Sequence, residues 1–502
     1  MNIMNLIVDK NHVVGSADKM IYGHFLEHFH RTIYGGIYDP ASSFADEDGF
    51  RSDVVAALKK ICTPVIRWPG GCFVSAYNWK DGVGKDRVPT YNKAWFVEEP
   101  NTFGTDEFIK LCRKLDCEPY ICTNAGTGTA EEMSDWVEYC NLKTEGKYAK
   151  QRIANGHTEP YNVKYWSVGN ENWGGHEVGA KTSGEWGNLV REAAKMMHRV
   201  DPSTELSAAS IADLDWNLKL LGAAHEHLDW VSIHTYWDFV GEELDYAGYD
   251  EVVSLTGNDI HDAIDTVRAI LRAMRLEGRL KIAYDEWNLR AWHHPNTMDN
   301  VHRTGKIGEK YQIEPRDKND DNSVYTMADA VFSACFLNAC LKNCDIVGMA
   351  NFSPVVNARG CIFTHKDGIV LRPTYHVFDI YANLLGKTVL KDWQSDNDIL
   401  TLNDKYGRAH NVEKIDAVAT LRDDSTIVVA VVNKSKEEPA VFTLEALHEG
   451  RNCGKVRIHT INGPQADSYN DIGKTDVTVT VKECTGDSII LEPHSVNVIE
   501  YL

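Results

Sequence analysis

The chain has 502 residues, a formal charge of −21, 43% hydrophobic and 25% charged residues, and 12 cysteines. That length exceeds what one core usually holds and predicts a large domain with a smaller second one, while no run approaches the roughly 18 uninterrupted apolar residues of a membrane span. The acidic balance argues against nucleic acid and anionic membrane as partners and suits a neutral substrate.

The first ten residues lack the basic stretch and small-residue cleavage site of a signal peptide and read as a short strand, so the expectation is a cytoplasmic protein. The cysteines are scattered, many in apolar stretches such as 332–340, which predicts buried free thiols in a reducing compartment; without a CxxC pair, a structural zinc site has little support.

From about residue 20, strand-like runs alternate with helical patterns, the mark of a parallel sheet built from βα units. Eight strands are predicted, at 20–29, 64–68, 118–124, 163–170, 205–210, 230–236, 280–287 and 345–354. Thr129 with Glu132 forms a capping box for the helix through Cys140, and Gly278 is placed to stop the helix carrying Ile264, Val267, Leu271 and Met274. Two long polar connections, 237–258 and 289–322, follow the sixth and seventh strands, where barrel loops shape a substrate cleft. After about Leu385 the pattern changes to short alternating strands, at 425–433, 476–481 and 488–491. The expected architecture is a (β/α)8 TIM barrel over 16–385 and a β-sandwich over 386–502, into which the strand within 1–15 pairs.

Two of these strands end in carboxylates. Glu171 closes the fourth, in Tyr165-Trp-Ser-Val-Gly-Asn-Glu-Asn172, and Glu286 the seventh, in Lys281-Ile-Ala-Tyr-Asp-Glu-Trp-Asn288. In a closed parallel barrel both lie on the C-terminal rim, where conserved chemistry of the fold is built. Two carboxyls facing across a sugar are the minimum apparatus of glycoside hydrolysis; a separation of about 5 to 5.5 Å makes one of them the nucleophile, with retention of configuration. The acid then needs a raised pKa, which its negative neighbour can supply. Asn170 can hydrogen-bond a sugar hydroxyl, and Tyr236, ending the sixth strand, can orient a nucleophile beside it.

Other motifs carry less. His24, His28 and His30 lack the pinch that a helix gives metal ligands, so packing and positioning are expected of them. His225-Glu-His227 is not a zinc-protease motif, and Gly126-Thr-Gly128 has Glu131 where the third glycine of a dinucleotide loop belongs. Neither a metal nor a cofactor is expected. The residues alone leave open which sugar is cleaved (a xyloside, a galactofuranoside or a glucan bond also fits), and whether the site only binds carbohydrate.

Taken together, Tyr22-Gly-His-Phe-Leu-Glu-His28, Tyr34-Gly-Gly-Ile-Tyr38, Ile66-Arg-Trp-Pro-Gly-Gly71, Tyr77-Asn-Trp-Lys-Asp-Gly82, Gly169-Asn-Glu-Asn172 and Tyr284-Asp-Glu-Trp-Asn288 resemble family 51 of the glycoside hydrolases, the retaining α-L-arabinofuranosidases. The resemblance implies Glu171 as acid/base, Glu286 as nucleophile, Glu27 and Asn170 on the arabinofuranose hydroxyls and Tyr236 beside the nucleophile. It also implies exo action on arabinose-containing oligosaccharides and an intracellular homo-oligomer, often a hexamer. Two positions depart from the family pattern: Cys72 stands where many members carry an asparagine, and Val347-Gly-Met-Ala-Asn351 lacks a glutamine. A thiol is the weaker hydrogen-bonding group, so Cys72 is expected to contact the sugar less polarly, with Asn351 compensating from the opposite wall. Trp68, Trp79, Trp173 and Trp292 are candidates to stack on sugar faces.

Overall fold

A strand inside a barrel is covered by helices on its outer face and by other strands' side chains on its inner face, so both faces must be apolar or specifically paired. In the structure, a computed structural model that describes residues 3–238, 247–291, 322–404, 406–447, 450–451, 454–486 and 488–502, eight such strands form one sheet. After the N-terminal β1 (Ile3–Ser16) they are β2 (Gly23–Phe25), β3 (Val65–Trp68), β4 (Glu118–Thr123), β5 (Tyr165–Val168), β6 (Glu205–Ala208), β7 (Trp230–Asp238), β8 (Lys281–Arg290) and β9 (Val347–Phe352). They pair in parallel in the order β6-β5-β4-β3-β2-β9-β8-β7. A bridge between Ala209 and Ser232, and the Asp229 amide donating to the Leu206 carbonyl at 2.8 Å, join β6 to β7 and close the ring.

All eight predicted strands are present. The first is much shorter than its predicted ten residues because Lys19–Tyr22 forms a 3-10 turn capped by Asp18, and the chain beyond Phe25 leaves the sheet. A principal helix follows each strand: α1 (Ser52–Lys60), α2 (Thr105–Leu115), α3 (Ala130–Asn141), α4 (Ser183–Val200), α5 (Leu214–Ala224), α6 (Asp259–Ala273), α7 (Met327–Lys342) and α8 (Pro373–Leu384). The Thr129 capping box opens α3. Gly278, in contrast, does not stop α6: the helix ends at Ala273, where Arg275 takes the left-handed conformation (φ 60°) and the Leu276 amide reaches back to Leu271 O at 2.8 Å. That six-to-one bond satisfies the orphan carbonyl before the glycine is reached.

The tail forms a second sheet with β10 (Thr388–Ser395), β11 (Ile415–Leu421), β12 (Ile427–Asn433), β13 (Ala440–Ala446), β14 (Lys455–Asn462), β15 (Thr478–Thr485), β16 (Ser488–Leu491) and β17 (Ser495–Tyr501). The N-terminal strand belongs to it, running antiparallel to β10 and parallel to β13. Every residue of β12 is buried because both of its faces are covered: Val428, Ala430 and Val432 join the barrel's core, while Ile427, Val429 and Val431 join a separate core within the β-domain. Within the first of these cores, between the barrel and the second sheet, lies α7, buried along its length apart from Lys342, as an all-round apolar helix must be. No helix among the described residues is long and apolar enough to cross a membrane.

Candidate active site

Side chains two apart on a strand share a face, and the barrel interior is therefore layered. Its floor is apolar: Met20, Val65, Tyr120, Tyr165, Trp230, Ala283 and Met349. One pleat up, Arg67, Ser207, Ser232 and Asp285 make a polar layer, and the next step on β7 brings His234 and then Tyr236 toward the rim.

On β8 the alternation breaks. Ala283 pairs with Ser232 and Glu286 with His234 on one side, and Tyr284 pairs with Ala350 and Trp287 with Phe352 on the other, so β8 takes three steps where each neighbour takes two. This β-bulge turns Asp285 and Glu286, adjacent in sequence, both into the barrel. Trp287 is then free to point outward, fully buried, with its ring 4.2 Å from that of Phe336 on α7.

Each of the two inward carboxyls has its own anchors. Asp285 accepts hydrogen bonds from Tyr120 (2.7 Å) and Ser232 (2.6 Å) and lies 3.4 Å from Arg67 Nε and 3.1 Å from His234 Nε2. Burial favours its neutral form, but Arg67 and His234 hold the carboxyl below the usual range. Glu286 accepts from Arg67 Nη1 at 2.6 Å and from Tyr236 Oη at 2.7 Å, and Tyr236 also lies 2.8 Å from Ser353 Oγ. Arg67 completes its fan by donating to Asn170 Oδ1 at 2.9 Å.

Glu171 reaches the rim through a turn. Gly169 has φ +70°, and a Cβ there would lie 2.1 Å from Asn172 Oδ1; Glu171 itself is left-handed at φ 44°, a conformation that side chains other than glycine rarely adopt outside constrained sites. Its Oε2 lies 2.8 Å from His176 Nε2 and its Oε1 2.9 Å from His234 Nδ1, which is also 3.7 Å from Glu286 Oε2. Oxygens of the two carboxyls lie within 4.8 Å of each other, too close for a water to stand between carboxylate and sugar. The raised pKa expected of Glu171 is not found. Burial favours the protonated form, but hydrogen bonds from His176 and His234 outweigh it and hold the carboxyl well below its ordinary range. Against the opposing effect of burial, the bond to Glu171 raises His176 to about 9, and the Glu286 charge with the Asp285 contact raises His234 to about 10.

The remaining predicted residues are distributed unevenly. Asn170 is fully buried beside Arg67, with its Nδ2 3.5 Å from Glu177 Oε2. Glu27 rests on the backbone of Gly70 and Gly71, where a Cβ on Gly71 would lie 2.5 Å from Glu27 Oε2, and it accepts from the Phe73 amide and the Trp95 indole. Burial and the charge of Glu286 push the Glu27 carboxyl well up. Cys72 sits near Glu171, His176 and Glu177. Asn351 packs inside the barrel against Gly23 and Met349, one pleat below Ser353, and hydrogen-bonds neither Glu171 nor Glu286. Trp173 is partly buried, its ring 5.8 Å from that of His176; Trp292 lies outside the described residues.

Two tryptophan expectations are corrected. Trp68, on the outer face of β3, is fully buried, stacks on Phe108 and donates to His28 Nε2. Trp79 is buried against Trp136, in the wall of a cavity of about 220 Å³ that neither Glu171 nor Glu286 lines. The histidines of segment 23–30 separate as packing groups: His24, on β2, turns out against Phe378, and His28, beyond its end, stacks on Phe73 and lies 3.1 Å from Glu99. Sequence reasoning missed Arg67, His234, Asp285, His176, Glu177 and Trp95. The first two carried a signal, since an arginine inside an apolar strand needs a buried partner, and His234 precedes Tyr236 by the two residues that put both on one face.

The chain matches two family models, the α-L-arabinofuranosidase 1 domain over residues 57–252 and the α-L-arabinofuranosidase C-terminal domain over residues 285–495. It is 32% identical to a probable α-L-arabinofuranosidase C of Aspergillus clavatus, covering 99% of this chain and 97% of that one. It is 33% identical to an intracellular exo-α-(1→5)-L-arabinofuranosidase 1 of Bacillus subtilis, covering 87% and 86%. Among solved structures, the α-L-arabinofuranosidase of Thermotoga maritima in complex with arabinose superposes with a TM-score of 0.86 at 34% identity over 99% of both chains. A family 51 enzyme of Bifidobacterium longum superposes at 0.86 with 26% identity over 100% of both. With both domain models matched in order, relatives aligned over nearly the whole chain, and the carboxyl pair on the rim of its barrel, the chain belongs to the α-L-arabinofuranosidases of glycoside hydrolase family 51.

Proposed function

We propose that the protein releases terminal, non-reducing α-L-arabinofuranosyl groups from arabinoxylan and arabinan oligosaccharides by double displacement. Glu286 attacks the anomeric carbon while Glu171 gives a proton to the leaving oxygen; Glu171 then takes a proton from water, which opens the glycosyl-enzyme with net retention. The reading rests on the separation of the two carboxyls, with oxygens within 4.8 Å, and on their unequal surroundings. Arg67 and Tyr236 present Glu286 as an oriented carboxylate. His176 and His234, each within hydrogen-bond reach of one Glu171 oxygen, can hand a proton to that carboxyl once the glycosidic oxygen lies against it.

Asn170 and Glu27 hydrogen-bond the furanose hydroxyls, Cys72 adds a weaker polar contact, and Trp173 lines the cleft. Catalysis belongs to residues 16–385, with 386–502 and 1–15 bracing α7 and α8 behind it. The enzyme works in the cytoplasm, as a homo-oligomer, on oligosaccharides already inside the cell; the intracellular relative from Bacillus subtilis supports this placement. A panel of nitrophenyl glycosides tests the sugar, and turnover of a xyloside or galactofuranoside in preference to the α-L-arabinofuranoside would overturn it. Trapping with a slow fluorinated arabinofuranoside is expected to add the sugar's mass to a peptide containing Glu286.

A further inference from the structure

Beside the acid/base glutamate stands a second set of groups that the hydrolytic scheme does not require. Cys72 comes from the loop after β3, and Glu171, His176 and Glu177 from the turn after β5; each offers one donor atom, and the four atoms lie within 4.8 Å of one another. Gly174 makes the convergence possible, because His176 folds back over it and a Cβ there would lie 2.3 Å from the imidazole Cε1. Glu177 is 5% exposed, and the groups that face its carboxyl are neutral and weak donors: the Cys72 thiol, the Ser75 hydroxyl and, at 3.5 Å from Oε2, the Asn170 amide. Burial therefore pushes this carboxyl up to about 7, and a cation among the four donors offsets the desolvation that these neutral contacts leave.

From this geometry we infer that Cys72, His176, Glu177 and Glu171 form a binding site for a borderline-soft divalent cation, zinc above all, and that its occupancy inhibits the enzyme by taking Glu171 out of the acid/base cycle. The donor set decides the class of ion. Thiolate with imidazole selects zinc over calcium or magnesium, which favour all-oxygen ligands. Tetrahedral zinc bonds of about 2.0 to 2.3 Å separate neighbouring donors by about 3.3 to 3.8 Å, so the outer members of the quartet draw in by about an ångström and the 2.8 Å Glu171–His176 hydrogen bond opens to admit the ion. On binding, the Cys72 thiol and the His176 imidazolium each release a proton to solvent, and their lone pairs bond the metal. Three of the four residues are only partly buried, which leaves the ion a path from the cleft. The neighbouring trio of Glu171, His234 and Glu286 offers no sulfur, and both of its carboxyls are already held by Arg67, Tyr236 and the two histidines. It is the weaker site.

The inhibition rests on Glu171 acting as the acid/base; the binding does not, and the test separates the two. Chelator-treated protein is titrated with Co²⁺ and followed by absorption, since thiolate ligation gives a near-ultraviolet charge-transfer band, and in parallel with Zn²⁺ and followed by hydrolysis of nitrophenyl α-L-arabinofuranoside. The expected result is one equivalent of Co²⁺ with a thiolate band, displaced by Zn²⁺, and progressive loss of activity with Zn²⁺ that chelator reverses. In Cys72→Ser the band should vanish. In both Cys72→Ser and His176→Ala the Zn²⁺ concentration for half-inhibition, relative to each variant's own metal-free activity, should rise at least about tenfold. Absence of the band in the parent protein, or unchanged zinc sensitivity in both variants, overturns the site. A Co²⁺ band with full activity in saturating Zn²⁺ would keep the site, overturn the inhibition, and count against Glu171 as the acid/base. Circular dichroism on each variant shows that a lost band is not lost folding.

Discussion

Arg67 Nη1 donates to Glu286 Oε1 at 2.6 Å across the barrel, and both side chains are buried. The same guanidinium lies 3.4 Å from Asp285 Oδ2 and 2.9 Å from Asn170 Oδ1, so one cation orients groups on two strands. Removing it leaves two adjacent buried carboxylates with His234 as the one cationic partner near both. Arg67→Ala is expected to cost about 3 to 5 kcal/mol in denaturant unfolding and at least about a hundredfold in kcat/KM. Arg67→Lys keeps the charge but loses the fork, and should recover more stability than activity. Equal recovery of both would count against a positioning role.

The two glutamates should fail in different ways. Glu286→Ala should lower turnover by about four or more orders of magnitude on every arabinofuranoside, because no nucleophile remains. Glu171→Ala should cost about 10² to 10⁴ on oligosaccharides but much less on aryl substrates whose leaving group needs no proton. Comparing kcat across leaving groups of graded pKa checks this; a uniform loss in Glu171→Ala would contradict its role.

The turn carrying Glu171 depends on Gly169, with φ +70° and space for no side chain. Gly169→Ala introduces a Cβ against Asn172, Trp186 and Ala125, and is expected to lower both stability and kcat, the former by about 2 kcal/mol or more. Thermal melting and steady-state kinetics check it together.

His24, on the outer face of β2, is fully buried, and neither ring nitrogen has a hydrogen-bond partner. Burial lowers its pKa to about 3. The unfolded chain therefore binds a proton that the folded one refuses as pH falls below about 6.5, and this contribution to stability, complete above 6.5, is lost progressively toward pH 3. His24→Leu should flatten the decline of melting temperature between pH 7 and pH 4, with its largest gain over the parent at the acid end. A constant offset across that range would show that His24 does not titrate on unfolding.

Much of this protein is legible in its residues. Period-two and period-3.6 patterns place eight strands and the helices between them, because burial on one or two faces dictates which positions are apolar. The change to short alternating strands after Leu385 marks the β-domain, and Glu171, Glu286, Asn170 and Tyr236 stand at strand ends that the barrel topology puts on one rim. Pattern says less about which way a strand's residues face once the alternation breaks. The bulge at Asp285 aims two consecutive acids inward and turns Trp287 out, and it exists only through the pairing of β8 with both neighbours. Trp68, named as a candidate to stack on a sugar, belongs to the outer core for the related reason that it follows the inward-facing Arg67 on β3 and so faces the helices. Tertiary structure also decided the electrostatics. His176 and His234 are 58 residues apart and reach the same carboxyl from different elements, holding Glu171 ionised where a lone like-charged neighbour would have raised it. Local sequence sets each strand's apolar face, but the field at a buried carboxyl is a sum over groups that only the closed barrel brings together.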